Sequence, residues 1–478
     1  MTLEALLGHL SSCPLIASAQ ASPGSPLQRS EALSCLAEAS SGQGVEVLRL
    51  QGIETISTVK TWFKGPVVGL IKKDYPGSPI YITPTLREVE ALLEAGCEVI
   101  ALDATPDTRP GREALSSLVH RIHQAGRLAW ADCDSMDSLL YAVQAGCDIF
   151  STTLAGYTSR SGLTDGPDLQ LLSSMVKAAP GPVIAEGRFQ QPWQAAMALR
   201  IGAAGVVIGG SLNDPVKQTS WFLKGLPRQE RVGAVDLGGT WLRFALVGHS
   251  LRVEEIRRIP QPQTRQERLD WIREQVLDSG VTRVGVSAGG TIDPKTGEVW
   301  EAKDFIPEYL GTVFSLQGVE MTALNDGLAA AWGHFCRPGS CFRRVAALAL
   351  GTGVGAGLVI NGGILCGPRG EYPRWNDLLL PSGKSVEGVL GGLSLTASPT
   401  ESQMDEAEGA ARFVLRSMDQ LWMPDKIVIT GGVGLSSWMQ SRLIEASEPI
   451  RAQIEFGPEE AGLQGAAALV LHPGALSL

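Results

Sequence analysis

Asp236, Gly238, Gly239 and Thr240 fall in the turn between two apolar runs of RVGAVDLGGTWLRFALVG, near the middle of the chain. An aspartate ending the first run can hold a water-ligated Mg²⁺, and the glycines let backbone N–H groups close on polyphosphate oxygens. An ordinary glycine hairpin has the same local sequence, so the reading depends on companions. VAALALGTGVGAGLVINGGILCG repeats the pattern with Gly351, Thr352 and Gly353 at its turn, and KIVITGGVG sets Gly431 and Gly432 where a strand meets a helix. In MTALNDGLAAAWGHF, Asn325 and Asp326 begin an alanine-rich helix. An aspartate there is commonly a cap. As a base beside a sugar hydroxyl, with the two glycine loops as donors around a γ-phosphate, it would complete a phosphoryl-transfer site. Asn325 and Glu371 would then hydrogen-bond sugar hydroxyls and hold the acceptor oxygen in line.

A second chemistry lies in the first half, where Lys72 follows the apolar run VVGLI and Glu186 ends PVIAE. An ammonium and a carboxylate facing one cavity can remove and return a proton on carbon next to a carbonyl. A free lysine titrates near about 10.4, so such a site must lower that value by burial or exchange the proton through neighbours. A structural ion pair would use the same two residues.

The elements that must position these groups are legible as eight short apolar runs alternating with helical stretches: PLIAS, VEVLRL, VVGLI, EVIAL, RLAWA, DIFST, PVIAE and GVVIGG. Such alternation specifies a closed parallel (β/α)8 barrel, whose chemistry sits where strands end. That rule selects Gln20, Arg49, Lys72, Asp103, Asp132, Thr152, Thr153 and Glu186. Gly187 after the seventh strand and Gly209, Gly210 and Ser211 after the eighth stand where such barrels hold a phosphate with backbone N–H groups. A phosphorylated small substrate follows. In the second half, two hairpins with glycine turns and a third turn between strand and helix describe two similar lobes clasping a nucleotide.

With 478 residues the chain is long enough for two or three domains. The reading is two, residues 1–226 and 231–478, joined by the linker-like KGLPRQER. A net charge of −10 argues against attraction to nucleic acid or an anionic membrane. No apolar run reaches the ~20 residues needed to span a bilayer, and MTLEALLGHL lacks the basic start of a secretory signal, so a cytoplasmic protein is expected. The eight cysteines show no Cys-x-x-Cys pair and read as small buried side chains rather than a disulfide frame or zinc cluster.

Five ordered words, GLIKKDY, VIALDAT, STTLAGYTS, VIAEGR and VIGGS, resemble the N-acetylmannosamine-6-phosphate 2-epimerases across nearly the whole first half. The resemblance implies conversion of N-acetylmannosamine 6-phosphate to N-acetylglucosamine 6-phosphate by inversion at C2, without metal or redox cofactor. It implies Lys72 as the acid/base at C2 and Glu186 as the partner in ring opening or the second proton transfer. Gln20, Arg49, Asp132, Thr153 and Arg188 become substrate contacts. Where the family usually reads Thr-Arg-Pro, this chain has Asn213, Asp214 and Pro215, so an anion replaces a phosphate-facing cation, with Lys217 as possible compensation.

The second half is similar to the ROK sugar kinases of the actin-like ATPase fold, and most to bacterial N-acetylmannosamine kinases. The matching elements are Asp236 to Thr240, the Asn325-Asp326 pair, the Gly-Thr-Gly turn, GGVGL and AGLQGAAAL. The resemblance implies ATP and Mg²⁺. Most members carry a structural zinc held by a His and three cysteines, but RGEYPRWNDLLLPSGKSVEGVLGG contains neither, so zinc is not expected. The two resemblances name adjacent reactions and imply a bifunctional enzyme of amino-sugar, sialic-acid, breakdown, with small-molecule partners only and a homodimeric state. Two alternatives stand beside it: a second half that senses sugar or dimerises without phosphorylating, and a different sugar phosphate for the barrel.

Overall fold

Runs of three to five residues, rich in Val, Ile, Leu and Ala, form eight parallel strands in the first half. These are β1 Leu15–Ala19, β2 Val47–Gln51, β3 Val67–Leu70, β4 Val99–Asp103, β5 Leu128–Asp132, β6 Ile149–Ser151, β7 Val183–Glu186 and β8 Gly205–Ile208. They hydrogen-bond in sequence order, and β8 returns to β1 to close the barrel. The computed structural model describes residues 1–162, 166–302, 307–395, 399–446 and 450–473. Contacts divide it into two compact units, Met1–Phe222 and Leu223–Leu478. Lys224 and Gly225, read as linker in the sequence, finish the helix Pro215–Gly225.

Strand side chains alternate between two faces, and this parity builds the site. Ile16, Val47, Val68, Val99, Trp130, Ile149, Ile184 and Val207 fill the lumen. Leu48, Leu50, Ile100, Leu102, Ala129 and Ala131 point outward into the layer packed against the helices. Two or four residues further along, the same parity sends Gln20, Arg49, Lys72, Asp103, Asp132, Thr153 and Glu186 into the C-terminal end of the lumen. Leu6 and Leu10 of the helix Leu3–Ser12 join the apolar lumen cluster. The lower lumen is therefore oil and the upper lumen polar.

The second unit repeats one design twice. Its first sheet has the order β11-β10-β9-β12-β15, with β9 Val232–Leu237, β10 Trp241–Val247, β11 Val253–Pro260, β12 Arg283–Ala288 and β15 Glu320–Asn325. A short ribbon, β13 Thr291–Ile292 with β14 Val299–Glu301, lies between β12 and β15 in sequence. The second sheet has the order β18-β17-β16-β19-β20, with β16 Arg344–Leu350, β17 Val354–Ile360, β18 Gly363–Ile364, β19 Lys426–Thr430 and β20 Gln453–Phe456. In each sheet an antiparallel hairpin precedes two parallel strands. The alanine-rich helices Asp326–Phe335 and Ala461–Leu471 share one core with Val232 and Ala234 of the first sheet and Ala347 and Val359 of the second. Trp332 Nε1 donates to the Ala468 carbonyl at 3.1 Å.

All eight cysteines are free; Cys97, Cys133 and Cys147 are buried, while Cys35 and Cys341 are exposed, so burial explains only some of them. Among the described residues no helix is long and apolar enough to cross a membrane.

The helix Ala461–Leu471 approaches β12 so closely that a Cβ on Gly285 would lie 1.7 Å from the Ala466 carbonyl oxygen. Backbone cannot yield as a flexible side chain does. Gly285→Ala is expected to destabilise the second unit by about 1–3 kcal/mol or more. Calorimetry of the full chain should show one transition lowered and that of the barrel unchanged.

Candidate active sites

In the barrel lumen, Arg49 leaves the middle of β2 with its side chain 1 % exposed. Its Nη2 donates to Asp132 Oδ2 at 2.7 Å, its Nε lies 3.3 Å from Glu186 Oε1, and the guanidinium stacks over Trp130 at 5.5 Å. Thr153 Oγ1 stands 2.8 Å from both Asp132 Oδ1 and Glu186 Oε2, and Ser151 supports Thr153 at 2.7 Å. Lys72 Nζ donates to Gln20 Oε1 at 2.6 Å, and Gln20 in turn donates to Ser18 Oγ at 2.8 Å. Two buried Arg49 nitrogens, Nε and Nη1, have no hydrogen-bond partner.

The lumen shifts Glu186, Lys72 and Asp103 toward their neutral forms. Burial pushes the Glu186 carboxyl up to about 7; Arg49 opposes this, and the nearby Asp132 charge adds to it. Lys72 touches solvent at the barrel mouth, yet barrel atoms crowd it on the other sides. That crowding lowers its pKa, and repulsion by Arg49 and Lys217 adds to the effect, against the attraction of Glu186. Burial works against the charge of Arg49, but Asp132 and Glu186 outweigh it and hold the guanidinium more basic than usual. Burial lifts Asp103 to about 6 against its bonds from Thr105.

The expected phosphate end is a turn. β8 ends at Ile208, Gly209 and the one-turn helix Gly210–Asn213 follow, and Ser211 Oγ donates to the Phe189 carbonyl. Gly187 has φ +112°, a conformation open to glycine. Arg188 is turned to backbone, donating to the Ala155 and Gly166 carbonyls at 2.5 and 2.8 Å. Thr152 also braces β7, donating to the Glu186 carbonyl at 2.8 Å. Asp214 does not face a ligand as the sequence suggested. Its carboxylate is 2 % exposed, accepts from Ser22 Oγ at 2.6 Å, and caps the next helix through Val216 N at 3.1 Å and Lys217 N at 3.3 Å.

In the second unit a cavity of about 500 Å³ is lined by Asp236, Gly238, Gly239, Thr240, Asp326, Gly351, Thr352, Gly353, Gly431 and Gly432. The two hairpin turns meet there: Thr240 and Thr352 hydroxyls lie 3.3 Å apart, and a Cβ on Gly239 would come within 2.6 Å of the Thr352 side chain. A second cavity, of about 340 Å³, shares Thr352, Gly353 and Glu387 with it and continues along Glu301, Tyr372, Arg374 and Asp377.

Asn325 and Glu371 line neither cavity. Asn325, fully buried, is the cap of the helix Asp326–Phe335: its Oδ1 accepts from Gly327 N at 3.0 Å, and its Nδ2 donates to the Gly290 carbonyl at 3.0 Å. The capping role weighed for Asp326 thus falls mainly to its neighbour, although Asp326 Oδ1 also accepts from Gly327 N. Glu371 folds back on its own turn and accepts from Arg369 N at 2.8 Å.

The sequence reading missed Arg243, which binds Asp236 Oδ2 through Nε at 2.9 Å. Counting outward from the Gly238–Thr240 turn would have paired them, since Arg243 and Asp236 are cross-strand partners. It also missed Glu387, whose Oε1 accepts from Val354 N at 3.0 Å. Tyr81 was a third omission. The segment after β3 doubles back so that Lys72 pairs with Ile82, which brings the Tyr81 phenol among charged groups; burial and Asp132 raise it to about 12. Among the described residues no three His, Cys, Asp or Glu side chains cluster to hold a metal ion.

Comparison with known proteins agrees with this division. Residues 33–227 match the family described as "Putative N-acetylmannosamine-6-phosphate epimerase", and residues 232–380 match the ROK family. Over 471 residues the chain is 31% identical to the "Bifunctional enzyme NanE/NanK" of Brucella melitensis, covering 90% of each chain. A Clostridium perfringens protein described as a "Putative N-acetylmannosamine-6-phosphate 2-epimerase" is 42% identical over 208 residues, 44% of this chain and 94% of that one. The solved structure of the N-acetylmannosamine-6-phosphate 2-epimerase from Clostridium perfringens is 39% identical with a TM-score of 0.45, covering 47% of this chain and 97% of that chain.

Two outcomes follow from the barrel geometry. Asp214→Arg removes a cap and buries a cation, so it should cost about 2 kcal/mol or more, read as a lowered midpoint in denaturant unfolding. Glu186 binds its proton more tightly folded, at about 7, than at its ordinary value of 4.5. Its contribution to stability is full below the ordinary value and is lost as pH rises through about 7. Glu186→Gln should therefore show a smaller fall in barrel melting temperature between acid and mildly alkaline buffer than the wild type.

Proposed function

Because the chain belongs to the bifunctional NanE/NanK family, we propose that it carries out two successive steps of amino-sugar breakdown, such as that of sialic acid. Residues 231–478 phosphorylate N-acetylmannosamine at O6 with ATP, and residues 1–226 convert the resulting 6-phosphate to N-acetylglucosamine 6-phosphate. The observation that carries the reading is the barrel lumen, where Lys72 is made less basic and Glu186 less acidic around one buried guanidinium. A phosphorylated intermediate and the use of ATP support a cytoplasmic setting.

In the epimerase site, Glu186 relays the proton that opens the pyranose ring by moving it from O1 toward O5. In the open chain the C2 hydrogen is next to the C1 carbonyl and acidified by it. Lys72, held by Gln20, takes that proton as a neutral amine. The C–H electrons move into a C1–C2 double bond, and negative charge develops on O1. Arg49 Nη1, which has no hydrogen-bond partner, is a donor suited to that oxygen, and a preorganised donor in a dry site favours the charged transition state. Glu186 in its protonated form returns a proton to the opposite face of C2 to give the epimer, Lys72 passes its proton to solvent while Glu186 regains one, and ring closure reverses the first step. Asp132 and Thr153 hold Arg49 and Glu186 in place, and the turn of Gly187, Gly209, Gly210 and Ser211 receives the phosphate, with Arg188 bracing it.

In the kinase site, the nucleotide lies in the 500 Å³ cavity and the sugar in the 340 Å³ cavity, which meet at Thr352 and Gly353. Asp326 accepts the O6 proton as the oxygen attacks the γ-phosphorus and ADP leaves. N–H groups of the Gly238–Thr240 and Gly351–Gly353 turns receive phosphate oxygens, and Gly431 and Gly432 border the nucleotide. Asn325 fixes the helix that presents Asp326. Magnesium asks for only one or two carboxylates besides water and phosphate. Asp236, on the cavity wall, fits that demand; when bound, the ion would neutralise phosphate charge. The continuous pair of cavities supports kinase action over a sensing role.

Incubation with ATP, Mg²⁺ and N-acetylmannosamine in D₂O, followed by NMR, tests both halves. Wild type should yield N-acetylglucosamine 6-phosphate carrying deuterium at C2. Lys72→Met should stop at N-acetylmannosamine 6-phosphate, with epimerisation lowered about 10²–10⁴-fold. Asp326→Ala should still epimerise supplied phosphosugar but form none from ATP. Product without deuterium at C2 would exclude the proton-transfer mechanism, and full ATP-dependent turnover by Asp326→Ala would exclude the assigned base.

A further inference from the structure

Residue 214, next to the glycine turn after β8, is an aspartate and supplies that turn with no cation. The Asp214 carboxylate is directed inward, to Ser22 and to the first N–H groups of the helix Pro215–Gly225. It is fixed there by burial and by three hydrogen bonds, so residue 214 cannot swing out to a ligand.

Lys217 is placed differently. It lies in the first turn of that helix, and its alkyl stem runs back over the glycine turn. A Cβ on Gly210 would meet Lys217 Cδ at 3.0 Å and Nζ at 3.7 Å. Its ammonium is 3.9 Å from Asp214 Oδ2, too long for a hydrogen bond, and the side chain is 55% exposed. The ammonium is therefore oriented by Asp214 while its N–H donors remain available. Its charge is also close enough to repel that of Lys72. Gln218, the next residue, donates to the Gly210 and Ser211 carbonyls at 3.2 and 3.0 Å, which ties the helix to the turn.

We infer that Lys217 is the cation that binds the phosphate monoester of the epimerase substrate, with Asp214 as its positioning residue. The inference rests on the epimerase reading above. An anion seated on Gly209 and Gly210 meets an ammonium directly above the turn, and the buried Asp214 carboxylate is already satisfied by its own donors. The lysine side chain thus replaces the charge that position 214 lacks, one helical turn further on.

The test uses the full chain and C2 hydrogen exchange of N-acetylmannosamine 6-phosphate in D₂O, with inorganic phosphate as competitive inhibitor. Lys217→Gln should raise KM about tenfold and weaken phosphate inhibition by a similar factor, because a charge-assisted bond to the anion is lost. The turnover number should fall by less than KM rises. Lys217→Arg should recover most of the affinity for both substrate and phosphate, which a merely structural role would not require. Lys217→Gln with wild-type KM and wild-type phosphate inhibition overturns the inference while exchange by the wild type leaves the epimerase reading standing. Equal loss in Lys217→Gln and Lys217→Arg also overturns it. A wild type that exchanges no C2 hydrogen overturns the epimerase reading and this inference together.

Discussion

A guanidinium with 1 % of its side chain exposed lies between Asp132 and Glu186, and the polar end of the barrel is arranged around it. Two carboxylates this deep in protein cannot both stay ionised without a cation, because each raises the pKa of the other and neither has water to solvate it. Arg49 supplies one charge for two acids. The nearer acid, Asp132 at 2.7 Å, takes the direct hydrogen bond, and Glu186 at 3.3 Å takes the weaker contact. Burial then carries Glu186 up to about 7 despite the guanidinium. The same burial lowers Lys72, and here Arg49 assists instead of opposing. Acid and base are thus both moved toward the range where proton transfer in either direction is easy. Removing Arg49 would leave a fully buried Asp132 unpaired, a change that typically costs about 3–5 kcal/mol.

The barrel was legible because its signal is local and periodic. Alternation in VEVLRL, RLAWAD and PVIAE sends Arg49, Asp132 and Glu186 to one face of their strands, and closure sends all those faces to one lumen. The same count places Lys72 two residues beyond Leu70. What the sequence did not reveal are contacts made at a distance by loops. Nothing in KKDYPGSPIYI announces that it folds back to bring Tyr81 beside Asp132 and Arg49. Asp214 read as a phosphate-facing anion because its partner, Ser22, is 192 residues away. Short polar side chains at helix starts are ambiguous in the same way. Asn325 and Asp326 both suit a cap, and the choice between them depends on the Gly290 carbonyl, which holds the amide of Asn325.

In the second unit the glycine turns were legible, and the residues that support them were less so. The first hairpin turn needs a bare backbone, since the opposing turn comes within contact distance: a side chain on Gly239 would collide with Thr352. Sequence shows such glycines directly. It shows less well which carboxylates border the cavity, because RGEYPRWNDLLLPSGKSVEGVLGG has no regular period to read. Glu371 and Glu387 are equally plausible there by type. The structure folds Glu371 onto its own loop and sets Glu387 at the junction of both cavities, hydrogen-bonded to Val354 N next to the Gly351–Gly353 turn.

The two units handle anionic chemistry by opposite means. The barrel confines a fixed cation with its acids in a dry lumen, so desolvation does much of the tuning and small displacements matter. The kinase cavity instead gathers backbone dipoles at three glycine turns and pairs its first aspartate with Arg243, whose Nε lies 2.9 Å from Asp236 Oδ2. The same wall also carries Asp326, Glu387 and Glu459, so in the proposed site the metal ion accompanying a polyphosphate would offset acidic side chains as well as phosphate charge. In the proposed assignment, a neutral sugar in the adjoining cavity requires no fixed cation at all. Its walls, with Glu301, Arg374 and Asp377 in mutual ion pairs, offer hydrogen-bonding groups held in place by one another. Phosphorylation converts the ligand that suits the second kind of site into one that suits the first, and this difference in charge allows one chain to act on the same sugar twice without the two sites competing for it.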